Sequence, residues 1–170
     1  MEKSEFLELC RRRRSIRKFT DEAVEQEKID MILQCALMSP SGKRINPWQF
    51  YVVQDRGLLQ QMAGCKSFGS QMLRTATAAI VVALDAAATD TWQCDGAIAA
   101  QNILLAAEDL GLGACWCQVY QREQAEQTVK QLCGVDEALT VLCVIALGHK
   151  NEQRQLYDLD KLPYDKIKRV

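Results

Sequence analysis

The chain has 170 residues and a formal net charge of −1, with 48% apolar and 25% charged residues. This composition is typical of a single globular domain and excludes a general attraction to nucleic acid or anionic membranes. The most apolar stretch, 76–88, is interrupted by Asp85 and is too short to span a bilayer. The charged start, MEKSEFLELC, lacks the apolar core of a secretory signal, so the expected location is the cytoplasm.

Helix-like and strand-like hydrophobic patterns follow one another along the chain. Ser4 is a candidate N-cap for the first helix, and Pro40 and Gly111 follow the ends of two later helices. The predicted helices cover approximately 5–12, 25–38, 58–63, 92–110 and 123–132. The predicted strands cover 49–53, 78–84, 113–119 and 139–147. This order predicts an α+β or three-layer α/β chain with a central sheet of about four strands.

Two elements and the tail carry further expectations. The strand 78–84 is apolar throughout, which predicts burial on both faces, and the helix 92–110 is nearly apolar all round. Such a helix belongs in the centre of a protein or in a subunit interface. The charged tail is too short to form a domain, so one domain over 1–170 is expected, with the tail from about 150 to 170 packing on a partner subunit.

Six basic residues crowd into eight positions near the start of the chain: Arg11, Arg12, Arg13, Arg14, Arg17 and Lys18. Guanidinium groups, the Ser15 hydroxyl and free backbone N–H groups at the end of a helix are the donors that a phosphate monoester needs. Taken alone, a charge run is more often a solvated face or a nucleic-acid patch. The cluster is therefore a candidate phosphate site with these two alternatives left open.

The segment SPSGKRINPWQF, residues 39–50, is a polar loop that leads into a strand. Its Gly-Lys pair does not complete a P-loop, because no glycine lies five residues before Gly42 and Arg44 stands where Ser or Thr would bind magnesium. Taken alone, the segment is most simply an ordinary helix-to-strand connection.

Residues 95–118 combine a nearly apolar helix, a Gly-Leu-Gly break and an aromatic strand. Small residues such as Ala99, Ala100 and Gly113 would let a planar ring or another backbone come close, as at the wall of a flat cofactor site. Periodicity alone favours the simpler interpretation, a core helix followed by a core strand.

The eight cysteines are scattered without a CxxC pair, and His149 is the only histidine. This pattern predicts structural thiols rather than disulfides or a zinc site. The motifs GxGxxG, HExxH and GxSxG are absent, so neither a Rossmann dinucleotide site nor a hydrolase nucleophile is supported. A chain this poor in acid–base groups fits a reaction whose chemistry resides in a cofactor.

Taken together, the candidate segments resemble the nitroreductase family of FMN proteins, in its compact branch. The matching segments are 13–19 (RRSIRKF), 39–50 and 95–116, and 147–150 (LGHK) resembles the closing strand and turn of the family. The resemblance implies an α+β fold, a nitroreductase-like three-layer α/β/α arrangement with a central, mostly antiparallel sheet. It also implies a homodimer formed through long central helices, with FMN at the interface touching both subunits.

The resemblance implies cofactor-binding residues by position. Those that would hold the phosphate and ribityl chain are Arg13, Arg14, Ser15 and Arg17. Those that would line the flavin from the other subunit are Pro40, Ser41, Gly42 and Asn46, with Arg44 where many relatives have Asn. The strand that passes the flavin would contribute Cys115, Trp116, Cys117 and Gln118. In the tail, Arg154 and Lys150 are the candidates for a further phosphate contact.

The implied activity is a ping-pong reaction in which NADH or NADPH reduces FMN and a small acceptor then takes the hydride. Nitroaromatics, quinones and enones are the expected acceptors, and no catalytic side chain or metal is implied. Arg17 or Arg44 is a candidate cation for the pyrimidine end of the ring. Two alternatives stay open: a flavin-binding protein for storage or sensing without turnover, and a nucleic-acid binder, which the net charge disfavours.

Overall fold

The computed structural model of the protein describes residues 4–170. The helices are α1 (Glu5–Arg12), α2 (Gln26–Leu37), α3 (Arg56–Met62), α4 (Trp92–Asp109) and α5 (Glu123–Cys133). The strands are β1 (Trp48–Val53), β2 (Ala78–Leu84), β3 (Leu112–Gln118) and β4 (Thr140–His149). Each element overlaps its predicted range, and the predicted order of helices and strands is confirmed.

The differences from the predicted ranges have local causes. Helix α3 begins at Arg56, two residues early, because the Asp55 carboxylate accepts the amide N–H of Leu58 at 2.8 Å and caps the helix. Strand β4 continues past Leu147 because Gly148 and His149 pair with the start of β3. Short 3-10 helices, which no hydrophobic period announces, occupy 42–44, 71–74, 159–161 and 164–166.

The four strands form one sheet in the order β1-β2-β4-β3, and every neighbouring pair is antiparallel. Strands β2 and β4 are central, and all seven residues of β2 are buried. The prediction that 78–84 is covered on both faces is therefore confirmed. Since neither face meets solvent, β2 shows a continuous apolar run instead of an alternating pattern.

Helices cover both faces of the sheet and produce three layers. On one face, Ile80 and Val82 contact a cluster that includes residues of α2 and α4. On the other face, Ala79 and Val81 contact a cluster that includes residues of α3 and α5. The predicted three-layer α/β/α arrangement is confirmed.

Helix α4 is the longest helix and one of the most buried. Ala99, Ala100 and Ile103 have no exposed surface, and their small or branched side chains fit between α2 and the sheet. Within residues 4–170, no helix, α4 included, is long and apolar enough to cross a membrane. The site described below is built on residues 11–20, which lie near the C-terminal end of α4 and beside β3 and β4.

Candidate cofactor site

Two glycines let the arginine-rich segment lie against the sheet. Gly113 of β3 and Gly148 of β4 are directly opposite each other in the strand register. A Cβ atom at Gly113 would lie 2.7 Å from the Ile16 side chain, and one at Gly148 would lie 2.9 Å from the Phe19 side chain. Ile16 and Phe19 are only 3% and 4% exposed, so both fill the space that the glycines leave. The side chain that lies against Gly113 is Ile16, from the segment 15–19, and the approach of a cofactor ring to this glycine stays a prediction.

The first part of the tail runs antiparallel to the arginine-rich segment. Three backbone hydrogen bonds join them, from Thr20 to the His149 carbonyl (2.9 Å), from Asn151 to the Lys18 carbonyl (2.9 Å) and from Tyr157 to the Arg11 carbonyl (3.1 Å). As the residue number rises in one segment it falls in the other, over residues 11–20 and 149–157. The segment 149–157 thus packs on its own chain. The prediction that the tail packs on a partner subunit stays a prediction for the residues beyond.

Arg14 and Arg13 hold the far end of this pairing. The Arg14 guanidinium donates to the Gln155 carbonyl and lies 4.5 Å from the centre of the Tyr157 ring. Arg13 reaches the Tyr157 hydroxyl at 3.5 Å. Ser15 instead forms an isolated parallel bridge with Ala114 of β3. In this structure Arg13 and Arg14 therefore hold the tail in place.

A pocket of about 470 Å³ opens beside the arginine-rich segment, and we call it the cationic pocket. Its charged lining residues are Arg17, Lys18, Glu152 and Arg154. Its other lining residues are Phe68, Gly69, Gln71, Met72 and Trp116. The pocket thus joins a basic region to an aromatic and apolar wall. Arg17, Trp116 and Arg154 are sequence-predicted site residues that the fold brings together here.

Among residues 4–170, Glu152 is the one acidic residue that lines the cationic pocket. Its carboxylate accepts the backbone N–H groups of Arg17 and Lys18, and it lies 2.6 Å from the Arg154 guanidinium. Although burial acts in the opposite direction, the Arg17 hydrogen bond and the Arg154 charge lower the pKa of Glu152 below its usual value. The carboxylate is therefore ionised at neutral pH.

A smaller pocket of about 250 Å³ lies next to the cationic pocket and is lined by Arg12, Arg14 and Lys150, among others. There the Lys150 ammonium lies 2.8 Å from the buried carboxylate of Glu108. The positive charge of Lys150 is therefore largely compensated by Glu108. Of the two tail residues considered from the sequence, Arg154 lines the cationic pocket and Lys150 is paired elsewhere.

The strand residues 115–118 present alternate side chains to the two faces of the sheet. Trp116 lines the cationic pocket, and its indole N–H donates to the Gln118 side chain at 2.9 Å. Cys115 and Cys117 point into the opposite core cluster and are almost fully buried. Burial raises the pKa of Cys115, and contact with Cys65 together with burial raises that of Cys117. Both are neutral thiols at neutral pH, in agreement with the predicted structural role.

The predicted flavin loop, residues 39–47, has an unusual backbone. Lys43, Arg44 and Asn46 all adopt the left-handed region, with φ between 52° and 58°. The Ser41 hydroxyl stabilises the turn, because it accepts the Asn46 amide N–H at 2.9 Å and donates to the Asn46 side chain at 2.7 Å. Strained backbone of this kind is often concentrated at functional sites.

This loop is fixed to the beginning of α4, whereas the arginine-rich segment lies near its end. The Gly42 amide donates to the Asp95 carboxylate at 3.1 Å, and Arg12 lies 4.0 Å from Glu108. A rise of about 1.5 Å per residue separates Asp95 from Glu108 by about 20 Å. Within one chain, Pro40, Ser41, Gly42, Arg44 and Asn46 therefore do not join the arginines around the cationic pocket.

We expect Asp95→Ala to lower the free energy of unfolding by about 1 kcal/mol, because the Gly42 amide and the Thr91 hydroxyl both lose a buried acceptor. Asp95→Asn keeps one acceptor oxygen and should cost less. Urea denaturation of the two variants and the wild type measures the difference. An unchanged midpoint for Asp95→Ala would show that the loop does not depend on this anchor.

The sequence matches a family model described as Nitroreductase family over residues 10–67 and 64–149. The chain belongs to the nitroreductase family. An Archaeoglobus fulgidus protein provisionally named NADH dehydrogenase/NAD(P)H nitroreductase is 39% identical over 160 residues, which cover 92% of this chain and 91% of that protein.

Solved structures of this family share the fold. The FMN-dependent nitroreductase of Clostridium difficile R20291 superposes with a TM-score of 0.92 at 37% identity, covering 95% of this chain and 97% of that one. The Desulfitobacterium hafniense nitroreductase with bound FMN superposes with a TM-score of 0.81 at 26% identity, covering 99% of each chain. The predicted family and fold are confirmed.

Several residues that line the cationic pocket were not among the predicted site residues: Lys18, Phe68, Gly69, Gln71, Met72 and Glu152. Lys18 belongs to the basic cluster and could have been included on that ground. The segment CKSFGS, residues 65–70, carries turn-forming residues between α3 and β2, which is typical of a loop. The role of Glu152 could not be predicted from the sequence, because a single acidic residue in a charged tail forms no recognisable motif.

Proposed function

We propose that this nitroreductase-family protein binds FMN and acts as an NAD(P)H-dependent oxidoreductase on small acceptors. The observation that carries the proposal is the cationic pocket, where Arg17, Lys18 and Arg154 lie beside Trp116 and Phe68. Cations suit a phosphate and aromatic side chains suit a flat ring, so the pocket offers donors for the phosphate and part of a wall for the flavin.

The charge of the pocket fits a phosphate monoester. Within residues 4–170, the side chains of Arg17 and Lys18 form no ion pair, and Arg154 pairs with Glu152. Three cations against one carboxylate leave a net positive charge to attract the dianion. FMN supplies the redox chemistry when it is bound, since it can accept hydride from NADH or NADPH and pass it to a second substrate.

The protein's contribution is binding and orientation. Trp116, held by its hydrogen bond to Gln118, would lie along the ring, and Arg17 is a candidate for contact with the anionic part of the cofactor. Binding and orienting the cofactor require no acid–base side chain in the pocket. The acceptor would enter on the side of Phe68, which is 88% exposed, so the opening admits planar molecules such as nitroaromatics or quinones.

A second copy of the chain would complete the site. The loop around Ser41 lies about 20 Å along α4 from the arginine-rich segment, so the two predicted halves of the flavin site are separated within one chain. The exposed apolar side chains of Phe6 in α1 and of Met38, which directly follows α2, line an open groove against α4. We propose that this surface is the homodimer interface, because exposed apolar patches of this kind mark association sites.

We place this activity in the cytoplasm, where thiols stay reduced. All eight cysteines are free in the structure, and four of them are buried. Such cysteine usage fits a reducing compartment better than an oxidising one.

The test of the proposed function is the purified protein itself. We expect flavin absorbance in the visible spectrum, release of FMN rather than FAD on denaturation, a dimeric mass, and oxidation of NADH or NADPH when menadione or a nitroaromatic is added. Bound FMN without turnover would favour a storage or sensing protein. A colourless protein that takes up no added FMN would overturn the proposal.

A further inference from the structure

Glu152 joins three groups that belong to two different parts of the chain. Its Oε1 atom accepts the backbone N–H of Lys18 at 3.2 Å and also that of Arg17. Its Oε2 atom lies 2.6 Å from Nη2 of Arg154. One carboxylate therefore connects the arginine-rich segment with the tail at the edge of the cationic pocket.

The contacts of Glu152 leave the anion-binding groups free. It uses only the backbone of Arg17 and Lys18, whose side chains line the pocket without an ion pair in the described chain. A guanidinium has five N–H donors, so Arg154 keeps donors for a second anion after pairing with Glu152. The carboxylate holds these residues without consuming their capacity to bind phosphate.

We propose that Glu152 is a positioning residue for the phosphate end of the cofactor pocket. It fixes the backbone from which the Arg17 and Lys18 side chains extend, and it fixes the Arg154 guanidinium on the opposite segment. This inference rests on the proposed binding of FMN and adds a residue that does not itself touch the cofactor.

A different role for the same geometry predicts the opposite effect. A carboxylate that occupied the place of the phosphate would compete with FMN, so its removal would strengthen binding. Within the part of the chain that the structure describes, the three cations of the pocket outnumber its single carboxylate, and the Arg17 and Lys18 side chains form no ion pair. Loss of Glu152 therefore removes the contacts that hold the cations and frees few new donors. The loss of positioning should outweigh the loss of competition, so FMN should bind more weakly.

The experiment compares FMN with riboflavin, which has the same ring and ribityl chain but no phosphate. Dissociation constants of both are measured by flavin fluorescence titration for the wild type, Glu152→Ala and Glu152→Gln. We expect Glu152→Ala to bind FMN about tenfold more weakly while riboflavin affinity stays within about twofold. Glu152→Gln keeps an acceptor oxygen for the amides but loses the charge beside Arg154, so its loss should be about threefold.

Glu137→Gln is the matched control, because it also removes one carboxylate charge, from an exposed side chain that pairs with Lys130 and does not line the pocket. It should leave both affinities unchanged. A general structural effect of Glu152→Ala would weaken FMN and riboflavin equally and would overturn the inference, as would unchanged or tighter FMN binding. If Glu152→Ala does not fold, Glu152→Gln decides by the same comparison. If the wild type binds no FMN, the proposed function fails and this inference fails with it.

Discussion

Replacing Arg17 with alanine should weaken FMN binding by roughly 10- to 100-fold, the equivalent of one hydrogen bond to a charged partner at about 1.5–3 kcal/mol. Arg17 lines the cationic pocket, and within the described residues its guanidinium has no carboxylate partner that would offset the loss. Calorimetric titration of the apoprotein with FMN measures the effect. Arg17→Lys should recover part of the affinity, because it restores the charge but not the forked geometry.

Arg122→Ala is a suitable control for the Arg17 experiment. Arg122 is exposed and precedes α5, it does not line the pocket, and its guanidinium donates to the neighbouring Gln121 carbonyl. Its loss should leave FMN affinity unchanged. If Arg17→Ala and Arg122→Ala bind FMN equally well, the cationic pocket does not hold the phosphate.

Gly113→Ala should lower the free energy of unfolding by roughly 1–3 kcal/mol, the usual cost of overpacking. The new Cβ would lie 2.7 Å from Cγ2 of Ile16, which is buried and cannot move aside without displacing the arginine-rich segment. FMN affinity should fall as well, since Arg17 is adjacent to Ile16. Chemical denaturation and flavin titration measure the two effects.

The double variant Gly113→Ala/Ile16→Ala tests the cause. Ile16→Ala removes Cγ2, the nearer of the two Ile16 atoms that the new Cβ would meet, and leaves Ile16 Cβ at 2.9 Å, so part of the overpacking is relieved and the double variant should be less destabilised than the sum of the single variants. Strict additivity would mean that the contact between Gly113 and Ile16 does not limit packing here.

The elements with strong hydrophobic patterns were predictable from the sequence. Strand β2 is apolar at every position and is buried at every position, and α4 is nearly apolar and central. An element that is buried on all sides is apolar at nearly every position, so its burial can be predicted from its composition alone. The boundaries of α3 and β4 depended instead on the Asp55 cap and on pairing between Gly148 and Gly113, and the second of these is a tertiary contact.

The candidate site was predictable only in part. Arg17, Trp116 and Arg154 were among the predicted residues, and the fold places all three on the cationic pocket. The wall formed by residues 68–72 was not predicted, because a loop acquires its role only when the sheet brings it against Trp116. The contribution of the Ser41 loop stays a prediction, since it depends on a second copy of the chain.

The antiparallel pairing of residues 149–157 with residues 11–20 could not be predicted from the sequence. It is made largely of backbone N–H and carbonyl groups, which every residue carries, so no side-chain pattern announces it. The aromatic contact between Tyr157 and Arg14 is specific to this register, but a single pair at such a separation is not recognisable in advance.

This pairing has a consequence for biosynthesis. A ribosome makes residues 11–20 early and residues 149–157 only after all four strands have been translated. The pairing that orders the arginine-rich segment therefore cannot form until residues 149–157 have been synthesised, and we expect FMN to bind only after that point. Ribosome-bound chains stalled before codon 149 should accordingly emerge without flavin fluorescence quenching, even when FMN is abundant.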